Sequence, residues 1–302
     1  MMVAHQFIEQ NYPVNQVLDY VDLKPSSFYY KKAEGSKGKS KSTITFKQNG
    51  TFEKNEMVVF QIEELLQKEF VDYGYRKVTW YLRNELLYVI NFKKVYDLMK
   101  KNNLLRPKIR RSQKGKRWVE FLVPRPSQPF EHLEFDIKYI YIAGERRNAL
   151  LLTIIDIMSR MNIAWMLQWS IKKEDVKALF QYILESYRLP RCVTVRNDNG
   201  SQMESDLVRK FLASEGILQE FTRPATPQQN GHIEAYHSIV DRTICQIYEI
   251  KNIEQGNDIF GRFEYFYNHE RIHSGIGYIS PIQYLNKLGL KIHKDFACVA
   301  SD

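Results

Sequence analysis

The 302-residue sequence contains no long hydrophobic run. Its longest clear one, Ala149–Ile155, is far shorter than the ~20 apolar residues that a membrane-spanning helix requires. The N-terminal stretch lacks the basic start and apolar segment of a secretory signal. The three cysteines are too few and too far apart for a zinc site or a disulfide framework. These absences predict a cytoplasmic protein without a membrane partner.

Acidic residues are scarce in the first part of the chain. Residues 1–129 contain 24 lysines and arginines but only 13 acidic residues, whereas residues 130–302 contain 20 and 22. The net charge of +9 therefore comes entirely from the N-terminal part. This distribution indicates a polyanion-binding region joined to a near-neutral globular one, although a basic surface that aids solubility fits the charge equally well.

Composition and hydrophobic periodicity divide the chain into six segments. The predicted segments are a helical, helix-turn-helix-like segment at 1–32, a flexible basic linker at 33–54, a helical DNA-binding domain at 55–105, a basic linker at 106–129, an α/β core at 130–250 and a helical tail at 251–302. For residues 1–32, a plain helical hairpin is an equal alternative.

Two sets of basic residues are candidate DNA contacts. The third predicted helix of residues 55–105 begins after the capping residue Asn91 and carries Lys93 and Lys94 away from its apolar face. Seven of the twelve residues from 106 to 117 are basic. This second set includes Arg110, Arg111, Lys114 and Lys116. The alternatives are a solvated lysine face for the first set and a simple tether for the second.

Residues 130–250 follow an α/β pattern. Three strands are predicted over 130–142, 149–158 and 160–167, after which helices and strands alternate. The last helix of the segment is predicted over Ile233–Ile250, with an apolar stripe that includes Tyr236 and Ile247. Such a succession is typical of helices packed on a central sheet.

Three carboxylates of this segment suit metal-dependent phosphoryl transfer. Asp136 lies within the first strand, Asp198 directly follows a short strand, and Glu234 lies early on the last helix. Two divalent ions held by hard oxygen ligands can supply that chemistry, so converging carboxylates are the expected donors. The spacing alone is a weak signal, because a chain with 35 acidic residues contains such triplets easily.

The residues around these carboxylates make the signal specific. FDIKY at 135–139, NDNGSQ at 197–202 and PQQNGHIE at 227–234 resemble the three catalytic motifs of DDE integrases and transposases. YNHERIHS at 267–274 and GYISP at 277–281 resemble the tail of OrfB-type insertion-sequence transposases. Residues 57–105, with YGYR at 73–76, resemble the helix-turn-helix insert of that group.

The resemblance implies both a fold and an activity. The implied fold is an α/β, RNase H-like core with a mixed five-stranded sheet flanked by helices, preceded by small all-α, helix-turn-helix-like domains. Asp136, Asp198 and Glu234 are the implied ligands of two Mg²⁺ or Mn²⁺ ions in each active site. The implied activity is DNA transposition, that is, cleavage at the terminal inverted repeats of an insertion sequence and strand transfer into target DNA.

The resemblance also implies partners. We expect at least a dimer on DNA, in a bacterial cytoplasm and associated with the nucleoid. An upstream OrfA-type protein is a further expected partner, since OrfB-type chains often act as a fusion with such a protein.

The chain departs from this group at two positions near the triad. The group usually has Lys or Arg seven residues after the glutamate, where this chain has Asp241 followed by Arg242. Two residues after the first aspartate, where threonine is common, stands Lys138. Arg242 and His232 are retained as candidate DNA contacts.

Two other polar side chains lie near the triad in the sequence. Glu134 is expected to be either an exposed edge residue or a carboxylate that supports the metal ligands. His237 is expected on the surface of the last helix.

Two other functions remain open. A non-catalytic DNA-binding regulator would use residues 1–105 and would leave the carboxylate triad unexplained. A simple metal-dependent nuclease would have no need for domains that recognise a DNA end. A transposase therefore accounts for more of the sequence than either alternative.

Overall fold

The computed structural model describes residues 2–29, 41–107, 124–197, 205–221 and 230–290. The chain divides into two compact units, Met1–Thr43 and Ile44–Asp302. The first unit is helical, and its small core is formed by Ala4, Val17 and Leu18. Its helices are α1 (Met2–Glu9), α2 (Val14–Tyr20) and α3 (Pro25–Phe28). None of the described helices is long and apolar enough to cross a bilayer.

The second unit begins with a small sheet inside the segment predicted to be a flexible linker. Strands β1 (Ile44–Lys47) and β2 (Phe52–Lys54) form an antiparallel hairpin, and β3 (Tyr88–Val89) pairs with the other edge of β1. The hairpin turns through Asn49 and Gly50, and Gly50 has a φ of 85°, which favours glycine. The predicted linker boundary at residue 54 therefore needs correction, because ordered strands begin at Ile44.

The three helices predicted within residues 55–105 are present. α4 (Asn55–Gln67), α5 (Tyr75–Asn84) and α6 (Phe92–Lys101) share one apolar core. Asn91 caps α6 as predicted, because its side-chain oxygen accepts the N–H of Lys94 at 2.9 Å. The same core contains Ile272, so apolar packing joins this helical domain to the C-terminal part of the chain.

A mixed five-stranded sheet lies at the centre of the second unit. Its strand order is β6-β5-β4-β7-β8. Strands β4, β5 and β6 are antiparallel neighbours, whereas β7 runs parallel to β4 and β8 parallel to β7. The strands are β4 (His132–Ile142), β5 (Arg147–Asp156), β6 (Asn162–Gln168), β7 (Val193–Asn197) and β8 (Ile217–Phe221). This order and these directions are those of an RNase H-like core, which confirms the predicted fold of the core. The helical domain before it is not all-α as predicted, because it includes the small sheet of β1, β2 and β3.

Helices cover both faces of the sheet. One apolar cluster joins Leu133 and Phe135 of β4 to α7 (Lys173–Ser186), α8 (Asp206–Ser214) and α11 (Pro281–Lys287). A second cluster joins Ile140 and Ile142 of β4 to α9 (Gly231–Val240) and α10 (Ile253–Tyr265). Because side chains alternate along a strand, the two clusters lie on opposite sides of β4.

Helix α9 is shorter than predicted. The periodicity predicts one helix over Ile233–Ile250, but the α-helix ends at Val240 and Asp241–Cys245 form a π-helical turn. The hydroxyl of Thr243 donates to the carbonyl of Ile239 at 2.9 Å, a side-chain bond that competes with regular helix geometry. Ile247, which the pattern placed in the buried stripe, is 70% exposed.

The segment predicted as a C-terminal tail is part of the core. Asn268 accepts a hydrogen bond from the Asn162 N–H at 2.9 Å and donates one to the Asn162 carbonyl at 2.8 Å, which ties it to edge strand β6. Ser280 and Gln283 form the predicted capping box at the start of α11. Residues 251–290 therefore complete both helical layers of the sheet.

Candidate active site

One face of β4 changes from charged to apolar along the strand. Glu134, Asp136 and Lys138 share this face with Ile140 and Ile142, since every second side chain points the same way. The two isoleucines belong to the apolar cluster beneath α9 and α10. The charged half of the face is therefore the half that lies outside this apolar cluster.

Helix α9 and the turn after it run along this charged half. Four residues of an α-helix rise about 6 Å, and two residues of a strand advance about 6.6 Å, so the two repeats keep in step. Successive charged residues of β4 therefore contact positions that are four residues apart along the helix and the turn after it. We call this set the β4–α9 ladder: Glu134 with Ile233, Asp136 with His237, and Lys138 with Asp241.

Glu134 anchors the first turn of α9. Its side chain is fully buried, and Oε2 accepts hydrogen bonds from the backbone N–H groups of His232 at 3.1 Å and Ile233 at 2.8 Å. These N–H groups are unpaired within a helix, and a carboxylate also interacts favourably with the helix dipole there. Burial raises the pKa of Glu134 to about 7, although the Ile233 N–H acts against the rise. Glu134 is therefore a support for α9 and not an exposed edge residue.

Asp136 is in contact with a buried histidine. Its side chain is half-buried, and Oδ2 lies 3.5 Å from Nδ1 of His237. Burial, reinforced by the charge of Lys138, lowers the pKa of His237 to about 4, so the ring is neutral near pH 7. The prediction of a surface position for His237 is wrong, because four residues after Ile233 the helix turns it back to the same inner face.

Lys138 and Asp241 form an ion pair. They are the two positions at which the sequence departs from the group that it resembles. Lys138 Nζ lies 2.9 Å from Asp241 Oδ1. Both side chains keep access to solvent, with 20% and 44% of their surfaces exposed. The site therefore has a positive charge on the strand, two residues beyond Asp136.

Glu234 lies in the first turn of α9, which is the turn that Glu134 anchors. Its side chain is exposed. Burial raises the pKa of Glu234, and the negative charge of Glu134 raises it further. A carboxylate whose ionised form is disfavoured by a neighbouring carboxylate is a typical cation ligand, because a bound cation removes the repulsion.

Asp198, the third predicted ligand, lies outside the described residues, as do Arg110, Arg111, Lys114 and Lys116. The parallel register of β4 with β7 ends at Glu134 and Arg196. These residues precede Asp136 and Asp198 by two positions each. Within the described ranges, no three His, Cys, Asp or Glu side chains are grouped closely enough to hold a metal ion. Asp136 and Glu234 are nevertheless hard oxygen donors of the kind that Mg²⁺ prefers.

Three parts of the chain match known domain families. Residues 126–227 and residues 215–281 match two families that are both described as an integrase core domain. Residues 53–113 match an HTH-like domain. The first integrase-core match includes Asp136 and Asp198, and the second includes Glu234.

The curated relatives include an integrase and insertion-sequence transposases. The candidate integrase ORF3 of Spiroplasma virus SpV1-C74 is 29% identical over 40% of this chain and 35% of its own length. The transposase for insertion sequence element IS904 of Lactococcus lactis subsp. lactis is 25% identical over 47% and 56%. The candidate transposase InsK for insertion sequence element IS150 of Escherichia coli is 23% identical over 93% and 96%. The chain thus spans less than two thirds of the first two relatives and nearly all of the third. It therefore contains integrase-core and HTH-like sequence regions and is similar to insertion-sequence transposases.

The core is also similar to solved retroviral structures. The catalytic core domain of BIV integrase is 15% identical, with a TM-score of 0.42 over 53% of this chain and 97% of that chain. The strand order and directions given above, and not this similarity, identify the core as RNase H-like.

The described DNA-contact candidates have different environments. Lys93 is exposed on α6, whereas Lys94 donates from Nζ to the carbonyl of Ile44 at 2.5 Å and so ties α6 to β1. His232 is half-buried, with Nδ1 3.4 Å from Oε1 of Glu134. Contact with DNA by these residues stays a prediction.

Arg242 belongs to an ion network that the sequence did not predict. Its guanidinium lies 3.1 Å from the buried carboxylate of Asp72, which also contacts Arg106 at 2.9 Å and Arg271. Burial alone would raise the pKa of Asp72, but the charges of Arg271, Arg106 and Lys77 lower it to about 2. Asp72 directly precedes the YGYR motif. This position was the only sign in the sequence that Asp72 is important.

Proposed function

We propose that this chain cuts DNA at the ends of an insertion sequence and joins those ends to target DNA, using Asp136, Asp198 and Glu234. The observation that carries the proposal is the β4–α9 ladder. Glu134 fixes the first turn of α9 against β4, and that turn carries Glu234. Asp136 lies on the same face of the strand, two residues further on. Similarity to insertion-sequence transposases and the matched positions of the three motifs support the same assignment.

The three carboxylates would hold Mg²⁺ or Mn²⁺, two ions in each site. Bound divalent ions neutralise charge on phosphate oxygens and activate a water or hydroxyl nucleophile. The protein's own contribution is positional. A strand and an anchored helix hold two of the ligands, and a neutral His237 packs beside Asp136 without competing for the cation as a charged group would.

The partners follow from the proposed reaction. The DNA substrates are the terminal inverted repeats and the target. The exposed Lys93, the basic residues of 106–117 and the residues around the triad are the proposed contacts. Because each site of this type holds one scissile strand and an insertion sequence has two ends, the DNA-bound form is proposed to be at least a dimer. An OrfA-type protein is a further proposed partner, and the bacterial nucleoid is the proposed location.

The triad is tested with isosteric variants of the full chain. Asp136→Asn, Asp198→Asn and Glu234→Gln should each reduce cleavage and joining by about 10²–10³-fold, since each loses a ligand to ions that stabilise the transition state by several kcal/mol. Purified protein is incubated with Mg²⁺ and a labelled element end, and the products are separated on a denaturing gel. DNA affinity, measured without metal, should change little.

The matched control is Glu185→Gln on α7, an exposed carboxyl on the other face of the sheet. Its activity should equal that of the wild type. Near-normal joining by Glu234→Gln would contradict the assignment. If the wild-type protein cuts DNA but never joins it, the nuclease alternative is favoured. If it binds DNA and leaves it intact, the regulator is favoured.

A further inference from the structure

Lys138 is a cation built into the rim of an acidic site. It follows Asp136 by two residues on β4, so both side chains point to the same face of the sheet. On β5 its neighbour in register is the apolar Leu151, which offers it no polar partner. Its Nζ instead reaches Asp241 at 2.9 Å, with one fifth of the side chain still exposed.

Asp241 shares its side of the helix with Glu234. The two residues are seven positions apart, which is close to two full helical turns. Asp241 begins the π-helical turn that ends α9, and that turn is packed on the core through the buried Thr243 and Ile244. Asp241, at the end of the helix that carries Glu234, therefore holds Lys138 in place. Lys138 itself lies on the strand that carries Asp136.

The ion pair of Lys138 and Asp241 contributes little to the stability of the fold. Partly exposed pairs contribute little to folding, because solvent screens them and both side chains lose freedom. The orientation of the ammonium group is the more important consequence. A lysine has three N–H donors, and the bond to Asp241 uses one, so the others can serve an anionic ligand at the exposed side.

The proposed substrate is such an anion. A strand of DNA that enters a site lined by Asp136 and Glu234 brings its own negative phosphates into a negative region. Metal ions would neutralise the reacting phosphate, but the neighbouring phosphates need cations from the protein. We propose that Lys138, held in place by Asp241, binds a backbone phosphate of the DNA strand next to the scissile one. Asp241 acts as the positioning residue of this contact. The inference rests on the proposed function, since it takes DNA as the substrate.

The first test is the salt dependence of DNA binding by full-length Lys138→Gln, measured without metal on a duplex that carries the element end. Loss of one phosphate contact should lower the slope of log affinity against log salt concentration by about one. In joining assays with Mg²⁺, the KM for the DNA end should rise about tenfold while kcat changes little, because the contact is made before and during the reaction. Lys138→Arg should keep the wild-type slope.

The matched control is Lys173→Gln, which removes one positive charge from α7 on the other face of the sheet. It should leave both the slope and the KM unchanged. A second test exchanges the charges of the pair. Lys138→Asp should lose affinity, and the double variant Lys138→Asp with Asp241→Lys should regain most of it, since a cation is restored within the same contact. Melting temperatures check that each variant is folded.

Wild-type slope and KM in Lys138→Gln would overturn the proposal, and so would a folded double variant no better than Lys138→Asp. These outcomes are separate from failure of the proposed function. That failure would appear as wild-type protein unable to join DNA ends with Mg²⁺ or Mn²⁺, whereas the salt slopes report the Lys138 contact independently of catalysis.

Discussion

Glu264 is a buried carboxyl that takes no part in the candidate site. It lies on α10 with 4% of its surface exposed, and Asn268 Nδ2 donates to its Oε1 at 2.5 Å. Burial raises the pKa of Glu264 to about 8, although the bond from Asn268 acts against the rise. The folded chain therefore holds a proton here that the unfolded chain releases near pH 4.5. Stability from this residue is complete below pH 4.5 and is lost as the pH rises towards 8.

Glu264→Gln should remove that loss. The amide oxygen can still accept from Asn268, but no charge needs to be buried. We expect the variant and the wild type to have similar unfolding free energies near pH 4.5. The variant should become the more stable by an amount on the order of a few kcal/mol near pH 8. Urea unfolding at several pH values measures this difference. The exposed Glu185→Gln is the control, and a Glu264→Gln curve parallel to wild type would contradict the prediction.

At the residue scale, the sequence predicted the element that carries a side chain better than the environment of that side chain. Asp136 and Glu234 are on the predicted strand and helix, because the flanking motifs locate them independently of packing. His237 was predicted on the surface of the helix. Its spacing of four residues from the buried Ile233 instead places it on the inner face. The pairing of Lys138 with Asp241 needed the alignment of β4 with α9, and no local pattern specifies how two elements 100 residues apart are placed in register.

At the element scale, the alternation of strands and helices was sufficient to predict the central sheet, because buried strands and amphipathic helices have different periods. The hairpin of β1 and β2 was missed although Asn49 and Gly50 form a typical hairpin turn. The basic and glycine-rich residues before it suggested a linker for the whole segment. The early end of α9 depends on the Thr243 side chain and on the core beneath it, and hydrophobic spacing contains neither.

The Asp72 network joins elements from three parts of the chain. Asp72 follows α4, Arg106 follows α6, and Arg271 lies in the C-terminal part of the chain. Asp72→Asn keeps the size of the side chain but leaves the buried Arg271 without its counter-charge. Removal of one partner from a buried ion network typically costs about 3–5 kcal/mol. We expect a loss of that order in urea unfolding, with faster hydrogen exchange in α4 to α6.

Glu69→Gln provides a control for the Asp72 variant. Glu69 pairs with Arg262 close by, but both side chains are more than 40% exposed. Exposed pairs contribute about 0–1 kcal/mol, so this variant should remain near wild-type stability. Equal losses in the two variants would mean that burial of the Asp72 network is not the source of its effect.

At the scale of the whole molecule, the helical domain belongs to the same compact unit as the catalytic core. The sequence predicted a basic linker at 106–129 between the helical domain and the core. In the structure the two are in contact, because Phe70 packs in the apolar cluster of α9 and α10, and Asp72 binds Arg242 and Arg271. Such contacts join segments that are far apart in sequence, and composition gives no sign of them. The separate unit is Met1–Thr43 alone.

The prediction about assembly depends on the two ends of the DNA and on the distribution of charge. An insertion sequence has two ends, and a single triad holds one scissile strand, so coordinated insertion requires at least two protomers. The excess positive charge lies within residues 1–129, whereas the core is near neutral. We therefore expect the basic residues of one protomer to grip the DNA end that the partner's core cuts. A Glu234→Gln protein with intact basic residues is mixed with a protein that has an intact triad and glutamine at Arg110, Arg111, Lys114 and Lys116. Neither should join DNA alone, and the mixture should recover joining in proportion to the mixed dimers. If both proteins are folded and no ratio restores joining, each protomer must grip and cut the same end.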